Sequence, residues 1–157
     1  MSAFELRDEP VGGAPSRALF AEYMALVGER LGDAFTPTER VFGSDDVFAA
    51  AGGAWLVAYE DERPVACGGL RTLAPGVGEI KRMFVTADAR GRGHARRLLR
   101  ELERRAAQHG HRSVRLLTTE VLREAIVLYE AEGYRLVGRV EHARGPVEMW
   151  LEKTLYS

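Results

Sequence analysis

The chain of 157 residues has one cysteine, Cys67, and its 22 basic residues nearly balance its 23 acidic ones. A single cysteine excludes an intrachain disulfide and leaves a cysteine-based zinc site without enough ligands. The formal net charge of -1 supplies no positive field to hold a polyanion, so nucleic acid is a poor candidate partner. This cysteine usage predicts a reducing, cytoplasmic location.

Long apolar runs are also missing. No uncharged apolar stretch is long enough to cross a bilayer, and residues 1–10 lack the apolar segment of an export signal. We therefore expect neither membrane insertion nor export. The hydrophobic fraction of 46% and charged fraction of 29% are typical of globular proteins, and the length suits a single domain over residues 1–157.

Periodicity and turn residues predict a mixed order of helices and strands. The clearest helix covers residues 93–110, where an apolar stripe lies opposite a charged face. Two runs of β-formers around the polar turn 61–64 predict a hairpin, and residues 73–78 are predicted to form a loop. The hairpin strands are 54–60 and 65–71, and the other predicted strands are 4–7, 79–85, 113–117, 134–140 and 147–155. The other predicted helices are 15–31, two short ones within 36–52, and 121–132.

A glycine-rich turn between the strand 79–85 and the helix 93–110 is the candidate for chemistry. The turn reads Arg90-Gly91-Arg92-Gly93-His94-Ala95. Glycines let the backbone approach an anion closely, and the unpaired N–H groups of a helix N-terminus attract phosphate. A dinucleotide fingerprint would need a third glycine where Arg96 stands, and a P-loop would need a lysine that this turn lacks. The turn therefore predicts a phosphate site of another kind.

This turn, preceded by Glu79-Ile80-Lys81-Arg82-Met83-Phe84-Val85, resembles the pattern Arg/Gln-x-x-Gly-x-Gly/Ala of the GNAT superfamily of acyl-CoA-dependent N-acyltransferases. The resemblance continues through 116–119, 125–130 and Gly133-Tyr134, and covers about the last two-thirds of the chain. It implies an α/β (α+β) GNAT fold, with a mixed, mostly antiparallel central sheet flanked by helices. The parallel strands 79–85 and 113–117 would splay apart and hold acyl-CoA between them.

The resemblance implies acetyl-CoA as cosubstrate and no metal. Parting two parallel strands frees backbone N–H and C=O groups, which can pair with the pantetheine amides. The strand end would bind pantetheine through its backbone, and the turn would bind pyrophosphate. A threonine hydroxyl where the chain turns from the second strand to the next helix could also bond CoA, although it could equally cap that helix. The residues assigned to cofactor binding are Met83, Phe84, Val85, Arg90, Gly91, Arg92, Gly93, His94, Ala95 and Thr118.

Two catalytic residues are carried over from the family. Glu79 matches the glutamate that some members use as general base, and the alternative is a strand glutamate paired with Lys81 or Arg82. Tyr129 matches a tyrosine whose hydroxyl protonates the departing CoA thiolate, and the alternative is a structural tyrosine on the apolar helix face. A carboxylate can accept the proton of an ammonium, and a phenol is a donor for a thiolate.

Arginines surround the predicted phosphate site. The guanidinium groups of Arg90, Arg92, Arg96 and Arg97 could bind pyrophosphate or the 3′-phosphate of CoA. Only Arg90 occupies a motif position. The alternative for the arginines of the helix is a solvated face whose charges alternate with glutamates.

The expected function is transfer of an acetyl group from acetyl-CoA to a primary amine, by direct attack in a ternary complex. A noncatalytic acyl-CoA-binding sensor and a transferase of longer acyl chains are the alternatives. The acceptor, a small molecule or a peptide amine, is not identified. Glu39, Asp45 and Asp46 hint at a cationic acceptor, but helix capping explains the same residues. A homodimer through the closing strands is an option that the resemblance leaves open.

Overall fold

The computed structural model describes residues 3–32 and 45–155. Its strands are β1 (Phe4–Asp8), β2 (Ala54–Glu60), β3 (Arg63–Ala74), β4 (Val77–Val85), β5 (Ser113–Thr119), β6 (Arg135–Val140) and β7 (Glu148–Thr154). Its α-helices are α1 (Ala14–Leu31), α2 (His94–Gln108) and α3 (Arg123–Ala131), and single 3-10 turns lie at Asp45–Phe48 and Ala87–Ala89.

The strands form one seven-stranded sheet in the order β1-β2-β3-β4-β5-β7-β6. Strands β4 and β5 run parallel, and every other neighbouring pair is antiparallel. The parallel pair follows from the connection through α2, because parallel neighbours need a crossover of that length. The expected mixed, mostly antiparallel sheet with one parallel pair is confirmed.

Each face of the sheet carries its own apolar cluster. On one face, α2 buries Leu98, Leu99 and Leu102 completely against β2, β3, β4 and β5. On the other face, Leu19 and Tyr23 of α1 pack with Trp55, Cys67 and Phe84. The alternation of side chains along the strands creates this division, because successive residues point to opposite faces. Within the described ranges, no helix is long and apolar enough to cross a membrane.

One local prediction needs correction, and a second is tested only in part. The predicted loop at 73–78 is instead a tight turn, because β3 continues to Ala74 and β4 begins at Val77. Gly76, with a φ of 75°, supplies the left-handed conformation that so short a connection requires. Two short helices are predicted within 36–52, and the first falls in residues 33–44, which lie outside the described part of the chain. Where the second is predicted, the structure has the 3-10 turn Asp45–Phe48.

Candidate active site

Strands β4 and β5 part halfway along their length. They pair at four positions, from Val77 with Ser113 to Ile80 with Leu116. Beyond this point β5 pairs only with β7, and β4 pairs only with β3. The edges that the two strands turn toward each other past Ile80 therefore hold backbone groups with no ladder partner. The splay expected from the sequence is present.

A β-bulge follows directly after the parting. Arg82 has a φ of 58°, and the register between β3 and β4 shifts between Cys67 and Gly69. Such a conformation is strained for a residue with a side chain, and bulges re-aim the side chains around them. The Arg82 guanidinium packs over the rings of Phe20 (4.6 Å) and Phe48 (5.2 Å) on the α1 face.

Arg82 is also held by an acidic partner. Its Nη1 donates to Asp45 Oδ1 at 2.8 Å, and its side chain is 5% exposed. Asp45 thereby ties the 3-10 turn to the splayed strand. A depression of about 470 Å³ opens beside this pair and is lined by Gly12, Arg17, Phe20, Ala21 and Asp45.

The glycine-rich turn presents its backbone outward. Gly91 and Gly93 have φ values of 80° and 81°, and an added Cβ at either position would meet nothing within 4 Å. No side chain caps α2, and the N–H groups of residues 91–96 donate to no described residue. Unpaired N–H groups in a row at a helix N-terminus can bind an anion.

The non-glycine side chains of the turn bind protein partners. Arg90 Nε donates to Val85 O at 3.2 Å. Arg92 donates to Glu60 and, through Nη2, to Asp88 O at 3.3 Å. His94 is buried, its Nε2 lies 2.8 Å from Glu60 Oε2, and its ring stacks on Phe4. These side-chain contacts fix the turn to the protein, while the backbone at Gly91 and Gly93 lies on the open side.

Glu60, at the end of β2, is the centre of this bracing. The Arg92 guanidinium, together with His94, holds the pKa of the Glu60 carboxyl below its ordinary value of 4.5. The neighbouring hairpin residue Arg63 adds an ion pair to Asp88 at 2.7 Å. No motif in the sequence indicates Glu60, and only the pairing of β2 with β1 and β3 places it beneath the turn.

The arginines that follow on α2 also have protein partners. Arg96 and Arg100 both pair with Glu132, at 3.2 and 2.7 Å, and Arg97 lies over the ring of Phe4. Arg104 pairs with Glu101 one turn away. These contacts agree with the alternative of an ion-paired, solvated helix face.

Glu79 lies one residue before the last β4–β5 pair. Its side chain is 4% exposed, and its Oε1 accepts a hydrogen bond from Arg71 Nη1 at 2.8 Å. Its ladder neighbours are Arg71 on β3 and Arg115 on β5. The ion-paired alternative predicted Lys81 or Arg82 as the partner of Glu79, whereas the partner is Arg71 on the neighbouring strand β3.

Tyr129 lies on α3 and is 5% exposed. Burial raises the pKa of its phenol above the ordinary value of 10.0, and electrostatic coupling to Tyr23 of α1 adds to the rise. Burial likewise raises the pKa of Tyr23 to about 12, and its ring lies 5.7 Å from that of Phe84. Both phenols therefore keep their protons at neutral pH and can act as hydrogen-bond donors.

Two threonines end β5 at the open side of the splay. Thr118 is buried at 7% exposure. The hydroxyl oxygen of Thr119 is buried and has no hydrogen-bond partner among the described residues. A buried polar atom without a partner is uncommon in native structures, and a catalytic role or a bound water or ion can account for one.

Cys67 does not provide a nucleophile. Burial raises the pKa of its thiol to about 12, and its Sγ lies 3.6 Å from Arg82 O. The reactive species would be the thiolate, which this environment disfavours. Within residues 3–32 and 45–155, no group of three or more His, Cys, Asp or Glu side chains could hold a metal ion.

The amino-acid sequence of the chain matches a protein-family model. The model described as Acetyltransferase (GNAT) family matches residues 18–134. The chain belongs to this family. As a GNAT protein it is an acyl-CoA-dependent acetyltransferase.

Two curated relatives carry acetyltransferase names. The GNAT chain is 34% identical over 103 residues to an IAA acetyltransferase of Azospirillum brasilense, a match that spans 64% of the chain and 67% of the relative. It is 29% identical over 149 residues to the uncharacterized N-acetyltransferase YjgM of Escherichia coli, which spans 92% of the chain and 85% of the relative.

Solved structures share the fold. An acetyltransferase of the GNAT family from Staphylococcus aureus superposes with a TM-score of 0.77 at 14% identity, over 98% of this GNAT chain and all of that one (100%). A GNAT superfamily phosphinothricin acetyltransferase from Sinorhizobium meliloti, solved in complex with AcCoA, gives a TM-score of 0.74 at 20% identity, over 97% and 88% of the two chains. At these identities the likeness extends to the fold alone.

Proposed function

We propose that the chain transfers an acetyl group from acetyl-CoA to a primary amine, by direct attack within a ternary complex. The observation that carries the proposal is the open edge of β4 next to the unpaired N–H groups of residues 91–96. Pyrophosphate would bind these N–H groups, and pantetheine would pair with the backbone of Met83 and Val85. The acetyl end would then point back along β4, toward the place where the strands part.

Holding the amine and the thioester side by side supplies a large part of the rate, because bimolecular attack becomes a step within one complex. Backbone N–H groups near the bulge would polarise the thioester oxygen as negative charge develops there. Glu79 would take the proton of the attacking amine, directly or through water. Tyr129 would donate a proton to the departing thiolate, and the raised pKa of its phenol keeps that proton in place.

The depression beside Asp45 is the proposed entry for the acceptor. It lies on the α1 face, and Asp45 connects it to β4 through the ion pair with Arg82. That ion pair engages one oxygen of Asp45, which weakens the hint that this residue selects a cationic acceptor. Glu39, the other part of that hint, lies outside the described residues.

Thermal unfolding with acetyl-CoA, CoA, NAD and ATP, each added separately, tests the donor site. A ligand that binds only the folded chain raises the midpoint by mass action, and we expect a rise with acetyl-CoA and CoA alone. No rise at saturating CoA would overturn the proposed function. A rise without thiol release across a screen of amines would support a noncatalytic sensor instead.

Glu79→Gln tests the general base once an acceptor is found. We expect turnover to fall by a factor of about 10²–10⁴, the usual range for loss of general base catalysis. Glu152→Gln is the matched control, because Glu152 pairs with Arg115 at 2.7 Å on the same sheet but lies on β7. Equal turnover in Glu79→Gln and the wild type across pH would contradict the assignment.

A further inference from the structure

The chain uses arginine almost exclusively for its positive charges. Of its 22 basic residues only Lys81 and Lys153 are lysines. The distinction matters chemically, because an arginine side chain stays charged whereas a lysine amine can lose its proton and become a nucleophile. The two lysines can therefore be compared with each other inside one molecule.

Lys81 occupies a special place on β4. It is the first residue after Ile80, where the pairing with β5 ends. It lies opposite Gly69 of β3, and a Cβ on Gly69 would point at the rings of Phe48 and Trp55. Lys81 therefore projects on the α1 face, beside the bulge residue Arg82.

The ammonium group of Lys81 has no ion-pair or hydrogen-bond partner among the described residues, although the side chain is half-buried. Burial lowers the pKa of Lys81 below its ordinary value of 10.5, the Glu79 charge opposes this change, and Arg71 and Arg82 lower the pKa further. Lys153 contrasts with it, because its Nζ lies 3.0 Å from Glu103 Oε1. Of the two lysines, only Lys81 forms no ion pair within the part of the chain that the structure describes.

Lys81 and the glycine-rich turn lie at opposite ends of the open edge of β4. The turn follows the end of β4 at Val85, and Lys81 lies at the other end of the open edge, about 13 Å away at about 3.3 Å per residue. A donor anchored by its pyrophosphate at the turn and extended along this edge carries its thioester toward Lys81. The open edge of β4 thus places a lysine without an ion pair among the described residues at the end of the strand where the acyl group is expected.

We propose that Lys81 is a self-acetylation site, modified by acetyl-CoA bound to its own chain. The inference rests on the proposed donor site. The neutral Nζ attacks the thioester carbonyl carbon, a C–N bond forms, and the C–S bond breaks. The nitrogen loses one proton and the CoA sulfur gains one, so the products are an acetyl-lysine amide and CoA thiol. Acetylation removes one positive charge from the active site.

The test uses the intact wild-type chain and acetyl-CoA, with peptide mass spectrometry following acetylation at both lysines over time. Because bound thioester acts at high effective concentration, we expect Lys81 to be acetylated at least about tenfold faster than Lys153. The first-order rate constant should not change with protein concentration, and excess CoA should suppress it. Lys153→Arg should retain the modification, and Lys81→Arg should lose the fast phase of thiol release.

Equal rates at Lys81 and Lys153, or a rate at Lys81 that excess CoA leaves unchanged, would mean ordinary solution chemistry and would overturn the inference. A rate constant proportional to protein concentration would mean transfer between molecules and would also overturn it. The thermal shift with CoA distinguishes failure of the self-acetylation proposal from failure of the proposed donor site. A shift without acetylation of Lys81 refutes the self-acetylation alone, whereas no shift refutes the donor site itself.

Discussion

Replacing Thr119 by valine should raise the stability of the protein and lower its affinity for a ligand that the hydroxyl binds. The hydroxyl oxygen of Thr119 is buried with no partner among the described residues, so the folded chain bears a desolvation cost that the unfolded chain does not. An unsatisfied buried polar group costs about 1–3 kcal/mol, and valine has nearly the same shape without the hydroxyl. Valine also suits a strand. We therefore expect Thr119→Val to raise the free energy of unfolding by about 1–3 kcal/mol.

Thermal and urea unfolding of the protein without ligand measure this gain. Each kcal/mol corresponds to a rise in midpoint of about 2–4 °C for a chain of this size. Thr72→Val is the matched control, because the Thr72 hydroxyl donates to Ala51 O at 3.1 Å and its loss should lower stability by about 0.5–1.5 kcal/mol. The same threonine-to-valine change should therefore raise the free energy of unfolding at position 119 and lower it at position 72.

The same variant should bind acetyl-CoA or acceptor more weakly if the Thr119 hydroxyl bonds a ligand, by about tenfold for one hydrogen bond. Isothermal titration and the KM for each substrate measure this loss. A lower midpoint for Thr119→Val, similar to that of Thr72→Val, would refute the reasoning, because it would mean that the hydroxyl already has a partner.

Three further changes test the site. Tyr129→Phe should keep the unfolding midpoint near that of the wild type but lower turnover by about 10²-fold or more. Because the pKa of this phenol is raised, the wild type should lose no activity through its ionisation below about pH 10. A pH–rate profile of the wild type with an alkaline limb at about pH 8–9 that vanishes in the variant would contradict this. Glu60→Gln removes the carboxylate that holds Arg92 and His94, and it should raise the KM for acetyl-CoA by about tenfold. The same variant should keep the wild-type kcat with acetyl-pantetheine, because this substrate has no pyrophosphate. The control Glu101→Gln loses ion pairs further along α2 and should alter neither constant. Gly93→Ala should destabilise the chain by about 1–2 kcal/mol, because residue 93 has a φ of 81°. Steric overlap adds nothing to this cost, since no atom lies within 4 Å of the added Cβ. Calorimetry should also find weaker CoA binding, and unchanged stability and affinity would show that the turn tolerates another conformation.

Local signals in the sequence predicted much of the fold. The apolar stripe of α2 and the glycines of the turn before it act over a few residues, so periodicity and turn chemistry located both. The parallel arrangement of β4 and β5 followed from the crossover that joins them. The turn at Gly76 was missed, because one glycine after a proline is compatible with either a loop or a tight turn.

The rest depends on pairing register, which the sequence does not display. The bulge at Arg82 arises from a shift between β3 and β4, and Arg71 reaches Glu79 only because those strands are in this register. Glu60 lies far from the phosphate turn along the chain and meets it only when β2 is in place. Residues that brace a site from neighbouring strands are therefore the part of an active site that motif reasoning misses.

The parting of β4 from β5 also divides the sheet into two halves that few hydrogen bonds connect. Strands β1 to β4 form one half and β5, β7 and β6 the other, and across this seam the ladder has only the four residue pairs that end at Ile80 and Leu116. An extended ligand arm lying in the gap would replace hydrogen bonds that the ladder omits, and would tie the halves together. Amide hydrogen exchange along the open edge of β4 should then slow when CoA binds, so that the donor acts as an eighth strand and completes the sheet.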